Sequence, residues 1–299
     1  KFYLQERFIF CRIDEGYKIG GLFMQYQNTI ATDITYKGIG LHSGTEVIIT
    51  LKSAPPNTGI VFIRVDLPGQ PKVKACAKNV TNTMRATTLE KGAAKVFTVE
   101  HLLAAFNALN IDNCYVEINS VEPPVADGSA LVFAELINTA GIMKQSELRP
   151  EIIIDKVYAV HDKDRFITII PYDGFRITFT STNPHPLLGI QFADFEVNQE
   201  VFMQEIAGAR TIGFMHEVEA LKAQGLALGG SLENVVVYDE EKVLTPLRFE
   251  DELVRHKVLD IIGDFMLAGK IKGHIIAVKS SHALNTELAK KILIGNKGE

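Results

Sequence analysis

The sequence is compatible with an α+β fold, since strand-like and helix-like segments recur in similar order in two halves of the chain. The length of 299 residues suits two domains, and 46% hydrophobic residues are ample for a buried core. Runs rich in β-branched residues alternate with segments of helical apolar spacing. This order is compatible with a sheet packed against helices in each half.

The first half contains five predicted strands and two predicted helices. A helix is expected over 99–109, because Leu102, Ala105, Phe106 and Leu109 are spaced i, i+3, i+4 and i+7 and make one apolar stripe. Strands, separated by turns such as Pro55–Gly59, are predicted from Thr29 and over 46–51, 60–65, 73–77 and 114–118. A helix over 129–139 and a polar linker over 143–150, which ends at proline, close this half.

The second half repeats the mixture of strands and helices. Its most regular segment, about 250–268, carries an apolar stripe of Val254, Val258, Ile261 and Phe265 and is predicted as a helix. Further helices are predicted over 199–207 and 218–224 and from Asn285, and strands over 152–160, 166–171, 175–181, 235–238 and 274–278.

Composition narrows the classes of function. A net charge of −5 argues against a general nucleic-acid binder, whose surface would be basic. Cys11, Cys76 and Cys114 are widely separated, which indicates free thiols in a reducing compartment. No run approaches the ~20 apolar residues of a membrane span. We therefore expect a cytoplasmic protein with no nucleic-acid partner and no stable membrane insertion. A monomer is favoured, and the oligomeric state stays open.

Residues 1–23 differ from the rest of the chain. They mix charged and aromatic residues and lack the pattern of a signal peptide. We interpret them as an upstream extension, or as a start placed too early. An additional strand or a partner-binding arm is the alternative.

Two imidazoles and a carboxylate form a candidate metal site. His256 and Asp260 are four residues apart, so a helix places them on one face, and His101 would join them from the other half. This set suits a catalytic zinc that keeps one position open. Glu100 is then the candidate base, and Thr98 the candidate cap of its helix. Taken alone, each pair is more typical of a solvated polar surface.

Seven stretches of sequence carry a resemblance to a known family, and they run in family order from about residue 24 to the end. They are Gly38–Gly44, Thr98–Leu102, Asp127–Ser129, Ala209–Phe214, Gly229–Ser231, Leu247–Asp264 and Lys279–Asn285. Together they resemble the zinc-dependent UDP-3-O-acyl-N-acetylglucosamine deacetylases of lipid A synthesis. The stretch Leu247–Asp264 is the most specific of them.

The resemblance implies two pseudo-symmetric α+β domains with an active site in the cleft between them. The first domain would span 24–149 and the second 150–299. The resemblance also assigns His101, His256 and Asp260 to the zinc ion, which would place the metal between the two halves.

The resemblance implies further catalytic roles. Glu100 would act as the base, and His282 as the cationic acid that steadies the oxyanion and protonates the leaving amine. Asp264 would orient His282, and Thr211 would donate a hydrogen bond to the same developing charge.

The remaining implied residues bind substrate. Lys257 and Lys279 would face the phosphates of the nucleotide, although ordinary surface lysine is the simpler interpretation of Lys279. An insertion over 211–239 would build an apolar passage for the acyl chain, lined by Ile212, Met215, Val218, Gly230, Val235 and Val237. Ile212 stands where the family commonly has an aromatic residue. Ordinary core packing is the alternative for these apolar residues.

The expected reaction is zinc-dependent removal of the acetyl group from UDP-3-O-(3-hydroxyacyl)-N-acetylglucosamine. Its products would be acetate and UDP-3-O-acyl-glucosamine, the committed step of lipid A synthesis. Two alternatives remain. One is a zinc amidase for another N-acetylated sugar or peptide, and the other is a binding module with a structural metal. Glu100 and His282 argue against the binding module, because a structural site needs neither of them.

Overall fold

The computed structural model describes residues 12–13, 16–19 and 22–295, with side chains from residue 25 onwards. Near the start, β1 (Arg12–Ile13), β2 (Gly16–Ile19) and β3 (Leu22–Met24) form a small antiparallel sheet. The prediction that residues 1–23 are an extension falls largely outside the described residues and stays a prediction.

The first half is built on a five-stranded sheet with the order β5-β6-β12-β7-β8. All neighbours in it are antiparallel except β12 and β7, which run parallel. The elements of this half are β4 (Tyr26–Ile30), β5 (Ile34–Ile39), β6 (Glu46–Ser53), β7 (Ile60–Arg64), β8 (Lys72–Lys74), β9 (Val80–Asn82), β10 (Thr88–Lys91), β11 (Ala94–Val96), α1 (Glu100–Ala108), β12 (Cys114–Ile118), α2 (Leu131–Ala140) and β13 (Ile142–Leu148).

The second half is built on a six-stranded sheet with the order β15-β16-β21-β17-β18, in which β14 also pairs with β21. The elements of this half are β14 (Glu151–Ile153), β15 (Tyr158–Asp162), β16 (Arg165–Ile170), β17 (Phe175–Thr182), β18 (Ile190–Glu196), α3 (Gln199–Val201), β19 (Ile212–Phe214), α4 (Met215–Ala223), β20 (Val236–Tyr238), α5 (Glu252–Met266), β21 (Lys270–Val278) and α6 (His282–Gly295).

The α+β class is confirmed, and several element predictions need correction. The segment predicted as a linker is strand β13, which pairs antiparallel with β4. Most of its side chains are exposed, so a polar sequence is compatible with pairing. The predicted strand over 152–160 is two strands, β14 and β15, that pair with different partners. The helix predicted over 199–207 is α helical only in α3 and continues as a π-helical turn over Phe202–Ile206.

Helices α1 and α5 pack directly against each other. Gly263 makes the close approach possible, since a Cβ atom there would lie 2.0 Å from the carbonyl oxygen of Glu100. All nine residues of α1 are buried, and the predicted apolar stripe of α5 is buried as well. One cluster of buried apolar side chains includes residues of both halves. The two helices therefore form the centre of the molecule.

Membrane spanning by helices is not supported in the part of the chain that the structure describes. No helix there combines the length and apolar character needed to cross a bilayer.

Candidate active site

The N-terminal turn of α1 and the middle of α5 bring three potential metal ligands together. His101, His256 and Asp260 each offer one ligand atom, and these atoms lie within 4.8 Å of one another. The Oδ1 atom of Asp260 is 3.5 Å from Nε2 of His256 and 3.9 Å from Nε2 of His101. All three side chains are buried, so the polar face of α5 is not a solvated surface.

The residues fit a bound dication. Asp260 Oδ1 is buried and has no hydrogen-bond partner among the described residues, whereas its Oδ2 accepts a bond of 2.8 Å from Lys257. Burial, reinforced by the neighbouring His256, lowers the pKa of His101 to about 3, and burial also lowers the pKa of His256. Burial opposes ionisation of Asp260, but Lys257 and the neighbouring histidines together outweigh it, and the pKa of Asp260 is lowered. Two neutral imidazoles and a carboxylate are typical zinc ligands.

Residues next to α5 hold His256 in place. Its Nδ1 atom is 3.1 Å from the carbonyl oxygen of Ala209, which directs Nε2 towards the other ligands. The next residue, Arg210, forms a buried ion pair of 2.8 Å with Glu252, one turn before His256. Spacing in the sequence does not reveal a contact of this kind, because the two residues are 42 positions apart.

Glu100 lies in the first turn of α1, as predicted, and is buried. Burial raises the pKa of Glu100 to about 7, with the charge of His282 opposing and that of Asp264 adding to the rise. The prediction that Thr98 caps this helix is wrong. The Thr98 hydroxyl instead donates to the buried carboxylate of Glu122, at 3.2 Å, and Thr98 has φ of 54°.

His282 is the first residue of α6, and its imidazole lies close to the carboxylate of Glu100. Its Nδ1 atom is 2.9 Å from Oδ2 of Asp264, and its Nε2 atom is 3.8 Å from Oε1 of Glu100. Burial alone would lower the pKa of His282, but the charges of Asp264 and Glu100 raise it to about 10. A cationic imidazole and a carboxylate of near-neutral pKa therefore lie side by side.

A small cavity of about 50 Å³ joins these groups. Thr211, which directly follows Arg210, also lines this cavity. The backbone N–H of Thr211 donates to the carbonyl oxygen of Gly128 at 2.8 Å. The cavity is lined by Leu41, His42, Arg85, Thr98, Glu100, His101, Thr211, His256, Lys257, Asp260 and His282.

The residues predicted to bind substrate are more scattered. Lys257 lines the cavity, whereas Lys279 lies away from it and forms an ion pair of 2.6 Å with the exposed Asp164. Ile212 packs against a small separate core cluster, whose buried members include Val236 and Tyr238.

The other predicted passage residues differ widely in burial. Val237 is buried, Val218 and Val235 are half-buried, and Met215 and Gly230 are exposed. The structure does not bring these side chains together as tightly as it does the metal ligands.

Two residues of the cavity region were missed from the sequence. Glu122 is fully buried and accepts hydrogen bonds from the backbone N–H groups of His42 and Ser43, which fixes the Gly38–Gly44 turn. Thr87 donates to both Glu100 and Asp264. Neither residue carries a sequence signal, because an isolated acid or threonine has no diagnostic spacing.

Comparison with known proteins gives the family. The model of the UDP-3-O-acyl N-acetylglycosamine deacetylase family matches residues 27–294. The UDP-3-O-acyl-N-acetylglucosamine deacetylase of Syntrophotalea carbinolica is 45% identical over 273 residues, which cover 90% of this chain and 88% of that protein. That of Hahella chejuensis is 45% identical over 276 residues, which cover 89% and 90%. The resemblance carried by the motifs is confirmed, and this chain belongs to the UDP-3-O-acyl N-acetylglycosamine deacetylase family.

Proposed function

We propose that this protein hydrolyses the N-acetyl group of UDP-3-O-(3-hydroxyacyl)-N-acetylglucosamine in the synthesis of lipid A. Water adds to the acetamide carbonyl, the carbon–nitrogen bond breaks, and acetate and UDP-3-O-acyl-glucosamine result. The observation that carries the proposal is the convergence of Glu100 and His282 on the cavity that also holds the ligand triad, in a chain of this family.

A zinc ion is part of the proposal. His101, His256 and Asp260 would hold it, and the unpartnered Oδ1 atom of Asp260 supports this assignment. When bound, zinc would supply a Lewis acid that polarises the amide carbonyl and lowers the pKa of water.

Proton transfer is assigned to the two groups beside the ligands. Glu100 accepts the proton of the attacking water, a role that suits a carboxylate with a pKa raised to about 7. His282, held cationic by Asp264, stabilises the oxyanion and donates a proton to the leaving nitrogen. The hydroxyl of Thr211 donates a hydrogen bond to the same oxygen.

Substrate binding and location complete the proposal. Lys257 and Lys279 would attract the phosphates of the nucleotide, and the insertion over 211–239 would receive the acyl chain. The three separate cysteines fit a reducing compartment, which supports a cytoplasmic enzyme. We favour a monomer.

Product analysis tests the proposed reaction. Purified protein loaded with zinc should release acetate and a free amine from the UDP-3-O-acyl substrate, as measured by mass spectrometry. The E100Q variant is the matched control and should release little of either product. Equal turnover of N-acetylglucosamine or an N-acetylated peptide would instead favour an amidase of broader or different specificity.

A further inference from the structure

Thr87 contacts both carboxylates on which the proposed acid and base depend. Its side chain is 0% exposed. Its backbone N–H donates to Oε2 of Glu100 at 3.0 Å, and its hydroxyl donates to Oδ1 of Asp264 at 2.6 Å. Glu100 belongs to α1 in the first half, and Asp264 to α5 in the second. One small residue therefore holds two acidic groups from helices of different halves.

The hydroxyl bond completes the surroundings of Asp264. The Oδ2 atom of Asp264 accepts bonds of 2.9 Å from Nδ1 of His282 and from the side-chain amide of Asn285. Asn285 is itself fixed by the hydroxyl of Ser280 at 2.6 Å. The hydroxyl of Thr87 donates to the other oxygen, Oδ1, so hydrogen bonds to both oxygens fix the plane of the Asp264 carboxylate. The orientation of that plane fixes the imidazole ring of His282.

The backbone bond has the same effect on Glu100. Its Oε2 atom accepts from Thr87, which leaves Oε1 to face Nε2 of His282 at 3.8 Å. Both members of the proposed acid–base pair are thus aligned through contacts with Thr87, directly for Glu100 and through Asp264 for His282.

We infer that Thr87 is a positioning residue for deacetylation, which fixes the base Glu100 through its N–H and the acid His282 through Asp264. The inference rests on the proposed function. It assigns the Thr87 hydroxyl a role in turnover rather than in binding of metal or substrate, because the hydroxyl bonds to none of the proposed metal ligands.

Substitution of the hydroxyl tests the inference. The T87V variant keeps the shape of the side chain and the N–H donor but removes the bond to Asp264. We expect kcat to fall about 10–100-fold, as is usual for the loss of a supporting hydrogen bond, with KM and zinc content little changed. The T87S variant keeps the hydroxyl and should retain most of the turnover.

Thr88 provides the matched control. It is the next residue along the chain and is also buried, but its hydroxyl makes no hydrogen bond within the described residues. The T88V variant should therefore keep the kcat of the unaltered protein. An equal loss in T87V and T88V would attribute the effect to general packing and overturn the inference.

A spectroscopic measurement separates this inference from the proposed reaction. The proton on Nδ1 of His282, shared with Asp264, should give a downfield resonance in proton NMR that is absent in H282A. T87V should shift or broaden the resonance, whereas T87S and T88V should preserve it. An unchanged resonance and kcat in T87V would overturn the inference.

If the unaltered protein fails to turn over the substrate, the proposed function fails, and the resonance alone decides the role of Thr87. If T87V does not fold, T87A removes the same hydroxyl without adding an apolar group.

Discussion

The helix pair α1–α5 and the segment 212–238, which is proposed to receive the acyl chain, differ in burial. In the helix pair, the ligands and their neighbours are almost completely buried, with Glu100 3%, His101 6% and Asp260 3% exposed. In the segment 212–238, Met215 is 46% exposed and Leu232 51% exposed, and α4 has no buried residue. Buried polar groups need fixed partners, whereas an exposed apolar segment has few contacts that hold it in one place.

We propose that the helix pair carries the chemistry and that the segment 212–238 selects the substrate. Groups that transfer protons or hold a metal must keep their geometry within fractions of an ångström, and packed helices supply that rigidity. A segment that receives acyl chains can remain adaptable, because apolar contacts have no strict direction. Substitutions in the helix pair should therefore affect turnover, and substitutions in the segment should affect selectivity.

The largest effect on zinc content and turnover is expected from substitution of the proposed metal ligands. H101A and H256A should each lose most of the bound zinc and nearly all turnover, because two protein ligands hold the ion far less well than three. Elemental analysis and activity measurements check this. His161 is exposed on β15, so H161A is the control and should keep its metal. Stoichiometric zinc in both ligand variants would refute the site.

The next largest effect concerns proton transfer. E100Q and H282A should each lose on the order of 10²–10⁴ in kcat, the usual contribution of a positioned proton-transfer group. Both should bind zinc as the unaltered protein does, because neither is a ligand. Steady-state kinetics together with metal analysis measure this, and near-normal kcat in either variant would remove that residue from the mechanism.

A smaller effect is expected in the pH profile. Activity should rise as Glu100 loses its proton and fall as His282 loses its own, which gives a bell-shaped profile. The Asp264 charge helps raise the pKa of His282 to about 10, so D264N should lower that pKa and move the alkaline limb to lower pH.

The profile of kcat against pH is the measurement for this prediction, and D164N is its control. Asp164 is an exposed carboxylate that pairs with Lys279. The alkaline limb should stay in place in D164N, and an unmoved limb in D264N would mean that another group controls it.

The smallest effect on catalysis is expected in the segment 212–238. G230F should raise KM for long-acyl substrate, because a ring there would obstruct the predicted passage, while zinc content and fold stay unchanged. Each buried methylene contributes about 0.8 kcal/mol, so the penalty should grow with chain length. A series of substrates with different acyl chains measures it. Unaltered selectivity in G230F would show that the passage does not run past this residue.

The same contrast explains what the sequence could predict. His256 and Asp260 lie on one face of α5 because a helix repeats every 3.6 residues, so their proximity follows from spacing. The stripe of Val254, Val258, Ile261 and Phe265 is buried as predicted, for the same reason. The motifs identified the family from the sequence alone, and the α+β class followed from that resemblance, with which the order of elements is compatible.

Other features depend on contacts between distant parts of the chain. Strand β13 was predicted as a linker because its side chains are polar, and only its pairing with β4 reveals a strand. Thr98 was predicted as a helix cap, but Glu122 offers its hydroxyl a buried acceptor. Ile212 packs against the small core cluster, and its place in the acyl passage stays a prediction. Local pattern carries no information about such partners.

The hydrogen bond between Lys257 and Asp260 has a consequence for coordination number. A carboxylate can bind a metal through one oxygen or through both, and a second oxygen would take the place that water or a substrate carbonyl needs. Lys257 donates to Oδ2 at 2.8 Å, whereas Oδ1 has no hydrogen-bond partner among the described residues. If zinc binds as proposed, Lys257 would favour a single oxygen of Asp260 as ligand, so the protein would supply three donor atoms and leave room for the reacting molecules.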